Sequence, residues 1–190
     1  MRLLLDSRNE NKLRELRAAL PAWDIALLGA PDEPVEDGAT FLDNARIKAH
    51  HGRAQAPLDA WVAGEDSGIE VAVLGGRPGV ESARWAVDGV ARLLSELEGE
   101  SDRRAQYVCE LVVLSPTGDE LGASGTLEGE IATVPRGSEG FGYDPVFVPV
   151  GETLTVAELG DVWKAQHSHR AQAARALADV LRARGRTRGV

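Results

Sequence analysis

The runs Tyr107 to Leu114 and Glu120 to Val134 meet at Ser115-Pro116-Thr117-Gly118, and this hairpin signal constrains the fold more than any other feature of the chain. Two long antiparallel strands commit the C-terminal half to a sheet. Upstream the pattern changes. Arg2 to Leu5 reads as a buried strand. Asn9 can cap a helix whose apolar stripe is Leu13, Leu16 and Leu20, and Pro21 ends it. Asp24 to Leu28 is a second short strand. Residues 29 to 39 hold Pro, Gly and acidic clusters and form a loop. Thr40 caps a second helix with Phe41, Ala45, Ile47 and Ala49 as packing positions.

Further on, Trp61 to Gly64 and Ile69 to Leu74 read as strands, and Val87 to Glu98 as a helix with Val90, Leu93, Leu94 and Leu97 on one face. Val146 to Val148 is a short strand, Thr155 to Leu159 a small helix and Ala165 to Arg184 the last long helix. Strands and helices alternate first and antiparallel strands follow. The expectation is an α/β fold with a mixed β-sheet and flanking helices. No domain boundary interrupts residues 1–190, so one domain is expected, with two lobes around a central cleft.

Of the 190 residues, 43% are hydrophobic, enough for a substantial core. No stretch approaches the roughly 20 apolar residues of a membrane span, and Met1 to Leu5 reaches Asp6 too soon for a signal peptide. The one cysteine, Cys109, excludes an internal disulfide and a cysteine zinc cage. Cytoplasm is the expected compartment. A net charge of −9 argues against nucleic acid as a partner but permits a small anion that arrives with Mg²⁺. Arg182, Arg184, Arg186 and Arg188 read as a solvated helix end at the negative pole of the dipole.

Several short segments carry chemistry. Ser7-Arg8-Asn9-Glu10-Asn11-Lys12 links a strand to a helix, where free backbone N–H groups suit phosphate. It reads equally as an ordinary turn with an Asn cap. Asp43 lies in a first helical turn, either for the dipole or as a Mg²⁺ ligand. Glu65-Asp66-Ser67-Gly68 sets two acids after an apolar strand. Buried carboxylates of this kind usually serve a cation or a proton transfer; the bland alternative is an acidic turn. Gly75 to Gly79 is a turn-rich loop, either one that approaches phosphate or merely a turn, and Arg84 after it meets a phosphate or a surface acid. Phe141-Gly142-Tyr143-Asp144-Pro145 offers an aromatic platform and a carboxylate, suited to a base or to a packed turn. His169 and Arg170 can both donate to a base carbonyl. His50, His51 and His167 lack metal-like spacing and read as surface or packing residues.

Together these motifs resemble the Ham1 family, the inosine triphosphate pyrophosphatases. The resemblance runs from Leu3 to about Ala176. It rests on Asn9 and Lys12, Thr40-Phe41 with Asn44-Ala45 and Lys48-Ala49, Asp66-Ser67-Gly68, Leu74 to Val80, Ser82-Ala83-Arg84, Gly140 to Pro145 and Ser168-His169-Arg170. It implies an elongated ITPase-like fold, a homodimer, and Mg²⁺-dependent hydrolysis of ITP, dITP or XTP to the monophosphate and pyrophosphate. It also implies that Ser7, Arg8, Asn9, Glu10, Asn11 and Lys12 hold phosphates. Asp66 is then general base and metal residue with Ser67 beside substrate, and Asp43 a second metal residue. Phe141, Gly142, Tyr143, Asp144, Lys164, His169 and Arg170 bind the nucleotide.

Three departures stand out. Arg8 replaces a Gly, Asp43 replaces a Glu, and the segment from Trp85 to Val90 is short. The leading expectation is a nucleoside triphosphate pyrophosphatase with a small-molecule substrate, no nucleic acid and no membrane. A Maf-type pyrophosphatase of other modified nucleotides and a nucleotide-binding module without turnover are the alternatives.

Overall fold

The computed structural model describes residues 2–187. Its strands are β1 (Arg2–Leu5), β2 (Asp24–Leu27), β3 (Trp61–Val71), β4 (Arg104–Leu114), β5 (Glu120–Ile131) and β6 (Phe147–Pro149). Its helices are α1 (Glu10–Ala19), α2 (Phe41–Gln55), α3 (Gly89–Glu96), α4 (Val156–His167) and α5 (His169–Thr187). The strands form one sheet in the order β2-β1-β3-β4-β5-β6. β1 is parallel to β2 and β3, and the other neighbours are antiparallel. This is the mixed sheet the pattern predicts.

Among the described residues the long strands carry three apolar clusters, two of them large. Leu3, Leu5, Leu16, Leu111 and Leu177 belong to the first, with α1 and α5 against the sheet. Ile69, Val71, Leu93, Leu97 and Phe147 belong to the second. Each such side chain, fully buried, contributes about 1.5–3 kcal/mol. Because β3 and β4 supply residues to both large clusters, the lobes share a continuous floor and the cleft opens over it.

Two boundaries depart from expectation. Trp61 to Gly64 and Ile69 to Leu74 are not separate strands. β3 runs unbroken through the acidic cluster, in register with β4 from Val62 opposite Leu114 to Val71 opposite Ala105. Cations on both faces satisfy the acids, so the charge does not interrupt the ladder. Likewise, no single helix runs from Ala165. Ser168 is extended, ends α4, and its hydroxyl accepts from the Ala171 amide, starting α5 afresh. That break turns His169 and Arg170 inward. At the far end of α5, Arg182 pairs with Asp179 and Arg184 with Asp119. Arg188 and the Arg186 side chain lie outside the described residues.

Two glycines set how closely helices approach the sheet. A Cβ on Gly64 would lie 2.1 Å from the Ala45 carbonyl oxygen of α2. One on Gly125 would lie 2.2 Å from the His169 carbonyl oxygen of α5. Both helices therefore rest directly on strand backbone, one on each face. Among the described residues no helix is long and apolar enough to cross a membrane.

Candidate active site

A cavity of about 670 Å³ opens between the lobes, well within the roughly 300–1,000 Å³ of small-molecule sites. β3 crosses its floor. Because successive strand residues point to opposite faces, Glu65 and Ser67 face α1 and α5 while Asp66 faces α2.

Asp66 is 5% exposed. Its Oδ1 accepts from Lys48 Nζ at 2.9 Å and its Oδ2 from Asn44 Nδ2 at 3.2 Å. Both donors come from α2, one turn apart, brought near by Gly64. Lys48 Nζ also pairs with Glu36 at 2.8 Å. Burial opposes the charge on Lys48, but Asp66 and Glu36 outweigh it and hold its pKa above the ordinary value. Two carboxylates thus converge on one ammonium at the cleft.

On the other face, Glu65 is 1% exposed, forms an ion pair with Lys12 Nζ at 2.7 Å and accepts from Arg170 Nε and Nη2 at 3.2 and 3.1 Å. Burial pushes its pKa up, yet Arg170 and Lys12 overcome this and hold the carboxyl well below 4.5. Arg170 also donates to the Ser67 hydroxyl at 2.8 Å and to Glu15. Glu15 continues to Lys164 at 2.5 Å, and Lys164 to Asp144 at 2.6 Å. This ladder of alternating charges joins Lys12, in the first motif, to Asp144, in the second. Every member has an opposite charge in contact, which is what buried ions require.

The second motif closes the far end. Asp144 accepts from Lys164, from the Phe141 amide at 2.8 Å and from the Tyr107 hydroxyl at 3.2 Å. Its carboxyl therefore shapes the loop from within. Burial raises its pKa despite Lys164. The His169 ring stacks on Tyr107, centroids 4.6 Å apart and planes at 11°. Burial, then the charge of Arg170, drives the His169 pKa well below 6.5, so the imidazole is neutral. Among the described residues its buried Nδ1 has no hydrogen-bond partner. A neutral ring offers one donor and one acceptor, and this one has a nitrogen to spare.

In the first motif Asn9 accepts from the Asn11 and Lys12 amides at 3.0 and 3.2 Å, as a helix cap does. The same turn lines the cleft through Ser7, Arg8, Asn9, Glu10 and Lys12. The cap and the cleft wall are one structure. Arg8 reaches across the rim, donating to the Pro31 carbonyl at 3.3 Å and pairing with Glu33 at 3.5 Å.

Asp66, Ser67, Phe141, Gly142, Tyr143, Asp144, Lys164, His169 and Arg170 also line this cavity. Asn11 and Asp43 do not. Asn11 accepts from Arg14, and Asp43 closes a capping box with Thr40. Gly75 to Gly79 stays a turn outside the cleft, while Arg84 lines it and donates to the Glu36 carbonyl. Sequence reasoning missed Glu15, Glu36 and Tyr107. Only Glu15 left a signal, an acid three residues after Lys12 beside the stripe Leu13, Leu16 and Leu20.

A mixed six-stranded sheet with this cleft between its lobes defines the ITPase-like α/β class. The chain belongs to the Ham1 family, a hydrolase family of nucleotide metabolism, whose model matches residues 3–180. A dITP/XTP pyrophosphatase from Bdellovibrio bacteriovorus is 42% identical over 95% of this chain and 98% of its own. One from Symbiobacterium thermophilum is 45% identical over 90% of each. The solved Ham1 protein of Staphylococcus aureus superposes with a TM-score of 0.85 at 33% identity, covering 97% of this chain and all of its own (100%).

Proposed function

We propose that the protein hydrolyses non-standard purine nucleoside triphosphates, ITP, dITP and XTP, to the monophosphate and pyrophosphate. The observation that carries this reading is the position of Asp66, on the cleft floor between a cationic helix-capping turn and an end lined by Tyr107, Phe141, Tyr143 and His169. Family membership supports it at the level of dITP/XTP pyrophosphatase relatives.

In this mechanism Asp66, oriented by Lys48 and Asn44, takes a proton from water as the water oxygen bonds to the α-phosphorus. The bond from that phosphorus to its bridging oxygen breaks, and pyrophosphate leaves. Lys12 meets charge developing on the leaving group, and Ser7, Arg8 and Asn9 meet the phosphates. In the tautomer that carries its proton on the substrate-facing nitrogen, His169 donates to the carbonyl at the six-position of the purine, with Arg170 beside it. Adenine carries an amino group there, and a donor facing a donor disfavours it.

The donor set fits Mg²⁺. Asp66 and Glu36 already converge on one cation, Lys48 Nζ, from different segments. Mg²⁺ is commonly held by one or two carboxylates plus substrate phosphates. Glu36 is the better second ligand than Asp43, whose carboxylate serves the capping box. When bound, the ion supplies Lewis-acid stabilisation of phosphate charge. A homodimer belongs to the same reading; Val87, fully exposed in the short segment, is a candidate contact.

The test is an initial-rate panel of purine and pyrimidine triphosphates with Mg²⁺, quantifying monophosphate and pyrophosphate. Release of single phosphates overturns the reaction type. Preference for pyrimidines supports the Maf-like alternative, and binding of ITP without product supports a module without turnover.

A further inference from the structure

His51, left by its spacing as a surface or packing residue, sits in an arrangement of its own. Asp6, next to the phosphate-side turn, lines the cleft and is 6% exposed. A buried carboxylate there is costly unpaired and repels an incoming polyphosphate. His51 on α2 answers it, with Nδ1 2.6 Å from Asp6 Oδ2. The other ring nitrogen lies 3.2 Å from Asp32 Oδ1. Asp32 belongs to the segment from 29 to 37 that forms one lip of the cleft, which also carries Glu33 and Glu36.

Ionised carboxylates only accept hydrogen bonds, so both contacts are hydrogen bonds only when both ring nitrogens carry protons. Gln55 adjusts to either state. Its amide nitrogen lies 2.7 Å from Nε2 and donates to Asp32 Oδ1 at 3.1 Å. As placed, its NH₂ serves a neutral ring and Asp32 together; turned over, it offers its oxygen to a protonated ring and gives up Asp32, which the ring then holds. After proton loss Nε2 and Asp32 face each other as acceptors, and the amide alone bridges them.

We propose that His51 is a positioning residue for the phosphate end of the cleft: as an imidazolium it cancels the charge of Asp6 and ties Asp32, with the lip that carries Glu36, to α2. The groups facing the ring are Asp6 from the end of β1, Asp32 from the lip and neutral Gln55 from α2 itself; Lys48, one turn earlier, is committed to Asp66 and Glu36. The hydrogen bond to Asp6 raises the ring's pKa above 6.5 against the effect of burial. A group with a raised folded pKa contributes fully below 6.5, and its contribution fades as pH climbs through the folded value. The lip therefore loosens on the alkaline side.

The effect on substrate rests on the nucleotide reading above; the latch itself does not. Ring titration by NMR in ligand-free protein, assigned by the signal lost in His51→Gln, is expected to give a midpoint above 6.5 that falls in Asp6→Asn. Backbone amide chemical shifts over residues 29–37 are expected to move through that midpoint and to show no such step in His51→Gln. A wild-type midpoint at or below 6.5, or lip shifts that ignore it, overturns the latch. In turnover assays His51→Gln is expected to raise KM about tenfold or more, the size of a lost charged hydrogen bond, with Asp6→Asn added to it bringing KM back. Absence of that recovery overturns the charge-cancelling role. Wild type that turns over no triphosphate sinks the proposed function and leaves the ligand-free measurements to stand or fall alone.

Discussion

Glu65 and Asp66 are neighbours in β3, yet they serve opposite faces of the sheet. Glu65 is held by Lys12 and Arg170, and Asp66 by Lys48 and Asn44. Adjacent acids in a sequence suggest a shared cation. In an extended strand they cannot point the same way, so one becomes an internal counter-ion and the other reaches the cleft.

Asp66→Asn keeps shape and both α2 neighbours but removes the proton acceptor. The expected loss in kcat on folded protein is about 10²–10⁴-fold, beyond what the lower urea midpoint from the weakened buried Lys48 pair explains. Wild-type turnover in this variant would remove Asp66 from the chemistry.

Glu65→Gln tests the opposite face. It strips the carboxylate from buried Arg170 and partly buried Lys12, and breaking a buried pair costs about 3–5 kcal/mol. Urea unfolding measures it. A change below about 1 kcal/mol, the size of an exposed pair, would contradict the burial described for this ladder.

Stability is expected to fall with acid in two stages. His169 has a lowered folded pKa, so below 6.5 the unfolded chain binds its proton first and folding weakens. Glu65 and Glu15 are held below 4.5 by their cations, so their contribution is whole above 4.5 and lost as pH falls further. Urea midpoints across this range check both, and His169→Gln is expected to erase the upper stage.

Gly64→Ala is expected to act at a distance of one helix. The new Cβ meets the Ala45 carbonyl, so α2 must lift from β3 and carry Lys48 and Asn44 away from Asp66. Overpacking of this kind costs about 1–3 kcal/mol. Turnover is expected to fall further than stability alone explains, read as kcat on folded protein.

Much of the site was legible because its residues come in short local groups. The turn from Ser7 to Lys12, the Phe141 loop and His169-Arg170 each announce polar chemistry beside a capped or punctuated element. The resemblance to Ham1 proteins joined them. Glu36 was not legible, since an acid in a loop of acids carries no signal until Lys48 is seen against it. Tyr107 reads as an ordinary strand aromatic, and only packing reveals the His169 stack. The strand break expected at the acidic cluster failed for a related reason: the pattern contains the charges but not the cations that neutralise them.

By itself the sequence determined the elements, the mixed sheet and the polar turns, because periodicity and capping act within a few residues. Tertiary structure alone decided which charges meet. Lys12 and Arg170 are far apart in the chain and share Glu65; Asp6 and His51 pair across β1 and α2. Pairing of buried ions depends on distances of a few ångströms between elements, and those distances are set by how closely Gly64 and Gly125 let the helices approach the sheet.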